Sequence, residues 1–144
     1  MSSVKHEENE KRPTKRKIGV FHAKNTEGNP RTIAVDVSVI SSISVTRETN
    51  EALMFTLDQS GRRGRVVLAD SFMDAISIWM KFVDVVIFKR DAGDGIHSIP
   101  LALDAETILS IDTSHINGDT LVKTTSGNIP VMNDFDEAVS IWQG

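Results

Sequence analysis

The sequence predicts an α+β fold built twice. Each unit is a small antiparallel β-sheet of about five short strands closed by one C-terminal helix, and the two copies pack as a pseudo-twofold pair. Three observations predict it. From Ile18 to Ala69 apolar residues alternate with polar or small ones, broken by turn signals, which is the pattern of antiparallel strands. At Phe72 the apolar spacing changes from two to helical. The stretch from Gly64 to Trp79 then recurs as Gly127 to Trp142, with Gly, Phe, Ala, Ser, Ile and Trp at matched places.

Residues 1–17 hold six Lys/Arg against three Glu and one large apolar side chain, Val4. Such a segment buries too little surface to offset the entropy of ordering, so it reads as a disordered charged arm. Within it Lys11, Arg12, Lys15, Arg16 and Lys17 stand close enough together to touch phosphate or an acidic protein face. The plain alternative is a solubilising tail.

The first unit is expected over residues 18–83. Ile18, Val20 and His22 alternate with smaller residues, and Asn25 to Pro30 is a dense turn signal. Ile33, Val35, Val37 and Val39 share one face of the next strand, Ile43 and Val45 one face of a third, and Leu53, Phe55 and Leu57 one face of a fourth. Asp58 to Gly64 is a Gly-rich hairpin tip, followed by a short apolar strand from Arg65 to Ala69. Phe72, Ala75, Ile76, Trp79, Phe82 and Val83 then form one helical stripe, so a helix is expected from about Phe72 to Val83. Ser71 supplies its N-cap, with Asp74 in the first turn answering the cap and the helix dipole.

The second unit, residues 84–144, repeats the recipe without a linker. Leu101-Ala-Leu-Asp104 matches Ile33-Ala-Val-Asp36, and Ser110-Ile111 matches Ser42-Ile43, at a constant offset of 68. The next hairpin tip is shorter, and from Gly127 to Trp142 the offset is 63. Asn133 or Asp134 caps the last helix, with Phe135, Ala138, Val139 and Trp142 on one face. Phe72, Trp79, Phe135 and Trp142 are therefore the expected core of the repeat. Whether each sheet stays open or curls into a barrel is not written in the pattern.

Chemistry is sparse. With no cysteine, disulfides, thiolate metal sites and thiol catalysis are excluded. The histidines, at 6, 22, 97 and 115, form no local ligand pair. Asp91-x-x-Asp94-Gly95 resembles a calcium loop only faintly, lacking the alternating acids, and reads as a hairpin turn. Asp36 and Asp104 occupy matched places and invite a paired-carboxylate reading, but a turn-capping role explains them as well. Phosphate-loop, nucleophile-elbow and dinucleotide motifs are missing. No metal, cofactor or small-molecule ligand is expected, and the chain is not expected to be an enzyme.

The remaining signal is electrostatic. Arg62, Arg63 and Arg65 crowd the longer hairpin tip, where the two copies differ most. They are candidates to contact a protein partner or nucleic acid, together with the basic arm. Against nucleic acid stand a net charge of −4 and an acidic second half, with three Lys/Arg against ten Asp/Glu. No apolar run is long enough to span a membrane and no secretory leader is visible, so a cytoplasmic or other intracellular location, or a virion, is expected. The expected function is a non-enzymatic binding or structural module that assembles with itself or with a larger protein complex, a virion component among them. The alternative is a nucleic-acid-associated regulatory protein using the arm and the arginine tip.

Overall fold

A computed structural model describes residues 16–25, 27–113 and 118–144. Ten strands run in the order β1 (Ile18–Lys24), β2 (Pro30–Asp36), β3 (Ile40–Val45), β4 (Ala52–Leu57), β5 (Arg63–Val67), β6 (Val85–Asp91), β7 (Ser98–Asp104), β8 (Ile108–Thr113), β9 (Thr120–Thr124) and β10 (Gly127–Val131). Two helices follow β5 and β10: α1 (Phe72–Trp79) and α2 (Phe135–Gln143). All strand pairings are antiparallel.

The order of elements from β1 to α1 returns from β6 to α2, down to small details. A one-turn 3₁₀ helix follows β2 at Val37–Val39 and β7 at Ala105–Thr107. The carboxylates of Asp36 and Asp104 cap these turns, each accepting at 3.0 Å from the amide two residues on. A register shift interrupts β3 between Ile40 and Ser42, and β8 between Ile108 and Ser110. Ser71 Oγ accepts from the amide of Asp74 at the start of α1, and Asp134 from the amide of Glu137 at the start of α2.

The strands form a two-stranded sheet β1-β2, a five-stranded sheet β5-β4-β3-β7-β6 and a three-stranded sheet β10-β9-β8. The five-stranded sheet joins the two halves, with Ile43 of β3 opposite Ala102 of β7. Because β3 lies mid-sheet it is covered on both faces, and even Ser44 is buried, its hydroxyl donating to the carbonyl of Pro100 at 2.7 Å. A twofold pair would return this contact through β8 and β2, which form no ladder. The expected twofold pairing is therefore met on one side only.

Two apolar clusters follow the halves. The first gathers Phe21, Ile43, Met54, Leu68, Ile76 and Trp79, and Ala102 joins it from the other half. The second gathers Val86, Phe88, Leu101, Leu103, Val122 and Ala138. Three expectations need correction here. In β1 the buried face is Gly19, Phe21 and Ala23, whereas Ile18 and Val20 point outward. Small residues face inward because the Phe21 ring lies over Gly19; a Cβ there would sit 2.8 Å from it. Helix α1 ends at Trp79, and Met80 to Val83 continue as turns, their amides bonded back to Ile76, Ile78 and Trp79. This sharp exit replaces the missing linker and swings the chain into β6, while Phe82 and Val83 still pack on the first cluster.

The third correction concerns the repeat core. Trp79 is fully buried and its Nε1 has no partner, whereas Trp142 is partly exposed and donates from Nε1 to the carbonyl of Ala105 at 3.3 Å. Phe72 is partly buried, but Phe135 is exposed.

Candidate interaction surfaces

The tip between β4 and β5 is fixed by one carboxylate. Asp58 Oδ1 accepts from the amides of Ser60 and Arg62, both at 2.9 Å, and from the Ser60 hydroxyl at 2.6 Å. These donors, the Ser60 hydroxyl foremost, hold the Asp58 carboxyl below its ordinary pKa. The turn thus sets the three arginines in register. Arg63 and Arg65 lie opposite Leu57 and Phe55 on one face of the sheet, and Arg62 stands in the turn before β5.

Arg63 is not a free finger. Its guanidinium donates to the carbonyl of Ser126, at the tip of the β9–β10 hairpin, at 3.2 Å. Arg65 is exposed and faces a groove that the sequence does not announce. Across the same face lie Phe55 on β4 and Arg90 on β6, and Arg90 enters this neighbourhood only because β7 joins β3. Two clefts of about 400 Å³ and about 390 Å³ share Phe55 and Arg90. The first runs beside Arg63 toward Ile129 and Pro130, and the second beside Arg65 and Arg47. Arg47 is held by Asp94 at 3.6 Å, while among the described residues neither Arg65 nor Arg90 has an ion-pair partner. The groove therefore offers exposed guanidinium charge beside a half-buried aromatic ring. Sequence reasoning missed Arg47 and Arg90 because nothing local marks them; the pairing of distant strands brings them here.

The basic arm adds less. Lys11, Arg12 and Lys15 lie outside the described residues. Arg16 and Lys17 are exposed ahead of β1, and the carbonyl of Lys17 accepts from the amide of Val37 at 2.9 Å. The Ser38 hydroxyl and amide, and to a lesser degree the Arg16 charge, hold the Asp36 carboxyl at the end of β2 below its ordinary range.

A cleft of about 710 Å³ lies between the turn at Asp91–Gly95 and the loop leading into α2. Two of its lining acids accept from backbone donors. Asp91 Oδ1 accepts from the amides of Gly93 and Gly95 at 2.7 and 2.9 Å, and Asp134 caps α2. Asp94 accepts from the amides of Ile96 and His97 at 2.9 and 2.8 Å. The loop is a turn in which carboxylates satisfy backbone donors, and not a cation cage. Among the described residues no group of three His, Asp or Glu is placed to hold a metal ion. No helix among them is long and apolar enough to cross a membrane.

One pair of contacts was invisible in the sequence. Asp70 accepts from the amide of His22 at 2.7 Å, and its other oxygen lies 3.0 Å from His22 Nδ1. In the second half Asn133 Oδ1 accepts from the amide of Lys89 at 2.7 Å. Each ties the entry to its helix onto the first strand of its unit, and each is joined by a backbone bond of 2.7 Å, Ala69 to His22 and Met132 to Lys89.

No protein-family model matches the chain, and comparison with curated proteins and with solved structures found no significant match.

Proposed function

We propose that this chain is a non-enzymatic binding or structural module, made of two copies of one β-sheet-plus-helix unit, that assembles with itself or with a larger protein complex. One observation carries the reading: the two halves are joined by strand addition, the edge of β3 receiving β7 to make a five-stranded sheet. A chain that joins its own halves in this way, and leaves further strand edges uncovered, has the means to join other chains. The duplication is supported by the recurring order of elements and by the matched caps, register shifts and strand-to-helix ties. Asp91 and Asp134, beside the cleft of about 710 Å³, accept from backbone amides, a role in turns and caps rather than in catalysis.

Light scattering on a size-exclusion column, at low and high salt, tests this for the full chain and for a chain starting at Lys17. A salt-resistant oligomer of both, or a defined complex captured from native lysate, supports the module reading. A monomer at high concentration that captures nothing rejects it.

A second reading has its own observation. Arg65 and Arg90 flank Phe55 with their charges unpaired among the described residues, a pairing of cation and stacking surface suited to single-stranded nucleic acid. In that reading the arm and the arginine tip bind nucleic acid, and association weakens steeply with salt. Binding to mixed DNA and RNA that is absent, or indifferent to salt, rejects it.

A further inference from the structure

Strands β3 and β8 hold the same place in their halves, but only β3 is covered. On β3, Ile43 is fully buried, with Ala102 of β7 opposite and itself fully buried. On β8, Ile111 is partly exposed and, among the described residues, no strand pairs with the outer edge, where the three-stranded sheet ends. The consequence reaches the core. Trp79 and Ile76 are sealed beneath the five-stranded sheet, while Trp142 and Val139, their counterparts, stay partly exposed.

The strand that would complete the second half is present in every copy of the chain. Strand β7 presents Leu101-Ala-Leu-Asp104 to β3, and β2 carries Ile33-Ala-Val-Asp36 at the matched place. Among the described residues the outer edge of β2 is also unpaired, and the outward face of the β1–β2 hairpin is apolar, with Ile18, Val20 and Ala34 all exposed. The same face of β6–β7 is the one whose Ala102 closes the first cluster. We infer that β2 of one copy pairs antiparallel with β8 of a second copy, repeating between chains the β3–β7 seam within the chain.

The register follows from the observed seam. Ile43 faces Ala102, so Ala34 faces Ile111 of the neighbour, and Thr32 faces Thr113. Arg31 then falls diagonally across from Asp112 on one face, a reach that long side chains span, and the exposed Arg31 adds to the Lys123 ammonium 3.1 Å from that carboxylate. Ser44, whose hydroxyl bonds across the inner seam, is replaced at the matched place by Asp112, so the outer seam trades one hydrogen bond for a charge pair. Because the two edges differ, the contact is head-to-tail and builds a ring or an open filament rather than a closed dimer. The inference rests on the module reading above and gives its partner: a second copy of this chain.

The absence of native cysteine makes the seam testable directly. Thr32 and Thr113 are both exposed, so Thr32→Cys and Thr113→Cys leave the core untouched. Directly opposed cross-strand residues lie within disulfide reach. Under mild oxidation the double variant is expected to give a ladder of dimers, trimers and larger covalent species. A mixture of the two single variants should stop at dimers, and each single variant alone should stay monomeric. Ala34→Lys, which sets a charge inside the seam, should weaken self-association by about tenfold or more in sedimentation, with an unchanged circular dichroism spectrum. An intrachain disulfide in the double variant would mean that β2 folds back onto β8 of its own chain, and would overturn the inference. So would covalent dimers of the Thr113→Cys variant alone, or free thiols throughout. If oligomers persist in scattering without the cross-link, the seam is wrong and the module reading stands. If the chain is monomeric and captures no partner, both fall.

Discussion

Arg63 donates a hydrogen bond at 3.2 Å to the carbonyl of Ser126, the residue that holds its own place in the second half. The two hairpin tips therefore meet, and the longer tip spends one of its arginines on the shorter. Both groups are near the surface, where a charged donor on a carbonyl stabilises little. Arg63→Ala should cost about 1 kcal/mol or less in urea unfolding, with the slope unchanged. A loss well above that would show that the tips hold the halves together.

Asn133 should matter more. It is 4 % exposed, and its Oδ1 is the acceptor for the amide of Lys89. Truncation leaves that amide without its partner in a part-buried place. Asn133→Ala should destabilise the chain by about 1–3 kcal/mol in urea or thermal unfolding. Asn133→Asp keeps the acceptor, as Asp70 does for His22, but sets its second oxygen against Glu137 Oε1, to which the Asn133 amide donates at 3.5 Å, so it should recover only part of that loss. If the alanine and aspartate variants unfold alike, the bond is not what holds the entry to α2 against β6.

Asp94 gives a pH dependence. The His97 ring beside it, and then the amides of His97 and Ile96, hold its carboxyl well below the usual carboxylate range. The folded pKa thus lies below the unfolded one. The stability this contributes is present above the unfolded value of about 4 and is lost as pH falls through it toward the folded pKa. Asp94→Asn should flatten the fall of Tm between about pH 4 and pH 2 relative to the parent chain. Equal slopes would show that other carboxylates govern acid unfolding.

The elements were legible because each carries a local signal: alternation for the strands, Ser71 and Asp134 as caps, glycine-rich turns between. The seam was not. The isoleucines and one serine of β3 recur in β8, and only Asp112 in place of Ser44 and Thr113 in place of Val45 hint that β3 is buried on both faces and β8 is not. The face of β1 was misread for a related reason. Ile18 and Val20 carry the apolar signal, but Gly19 and Ala23 lie inward beside Phe21, and at Gly19 the Phe21 ring and Val37 leave no room for a larger group. Phe135 shows the limit of matching the two halves, since a shared residue type does not ensure shared burial. Of the candidate contacts, Arg63 and Arg65 were readable as a cluster, but their company was not. Arg90 is distant in sequence and arrives through two strand pairings.

That arrival sets the last prediction. Arg65 and Arg90 lie on one face of the five-stranded sheet with Phe55 between their strands, whereas Arg62 stands in the turn before β5 and lines neither cleft. If the groove binds a nucleic-acid strand, Arg65→Ala and Arg90→Ala should each lower affinity and each reduce the steepness of its salt dependence by about one charge. Phe55→Leu should weaken binding with the salt slope unchanged, because a lost stacking contact releases no counterion. Arg62→Ala should do little, although it stands next to Arg63 in sequence. Fluorescence anisotropy with a labelled single strand, read from about 50 to about 200 mM salt, separates these cases. Equal effects at Arg62 and Arg65 would mean that the tip acts as a diffuse basic cluster and that the groove has no role.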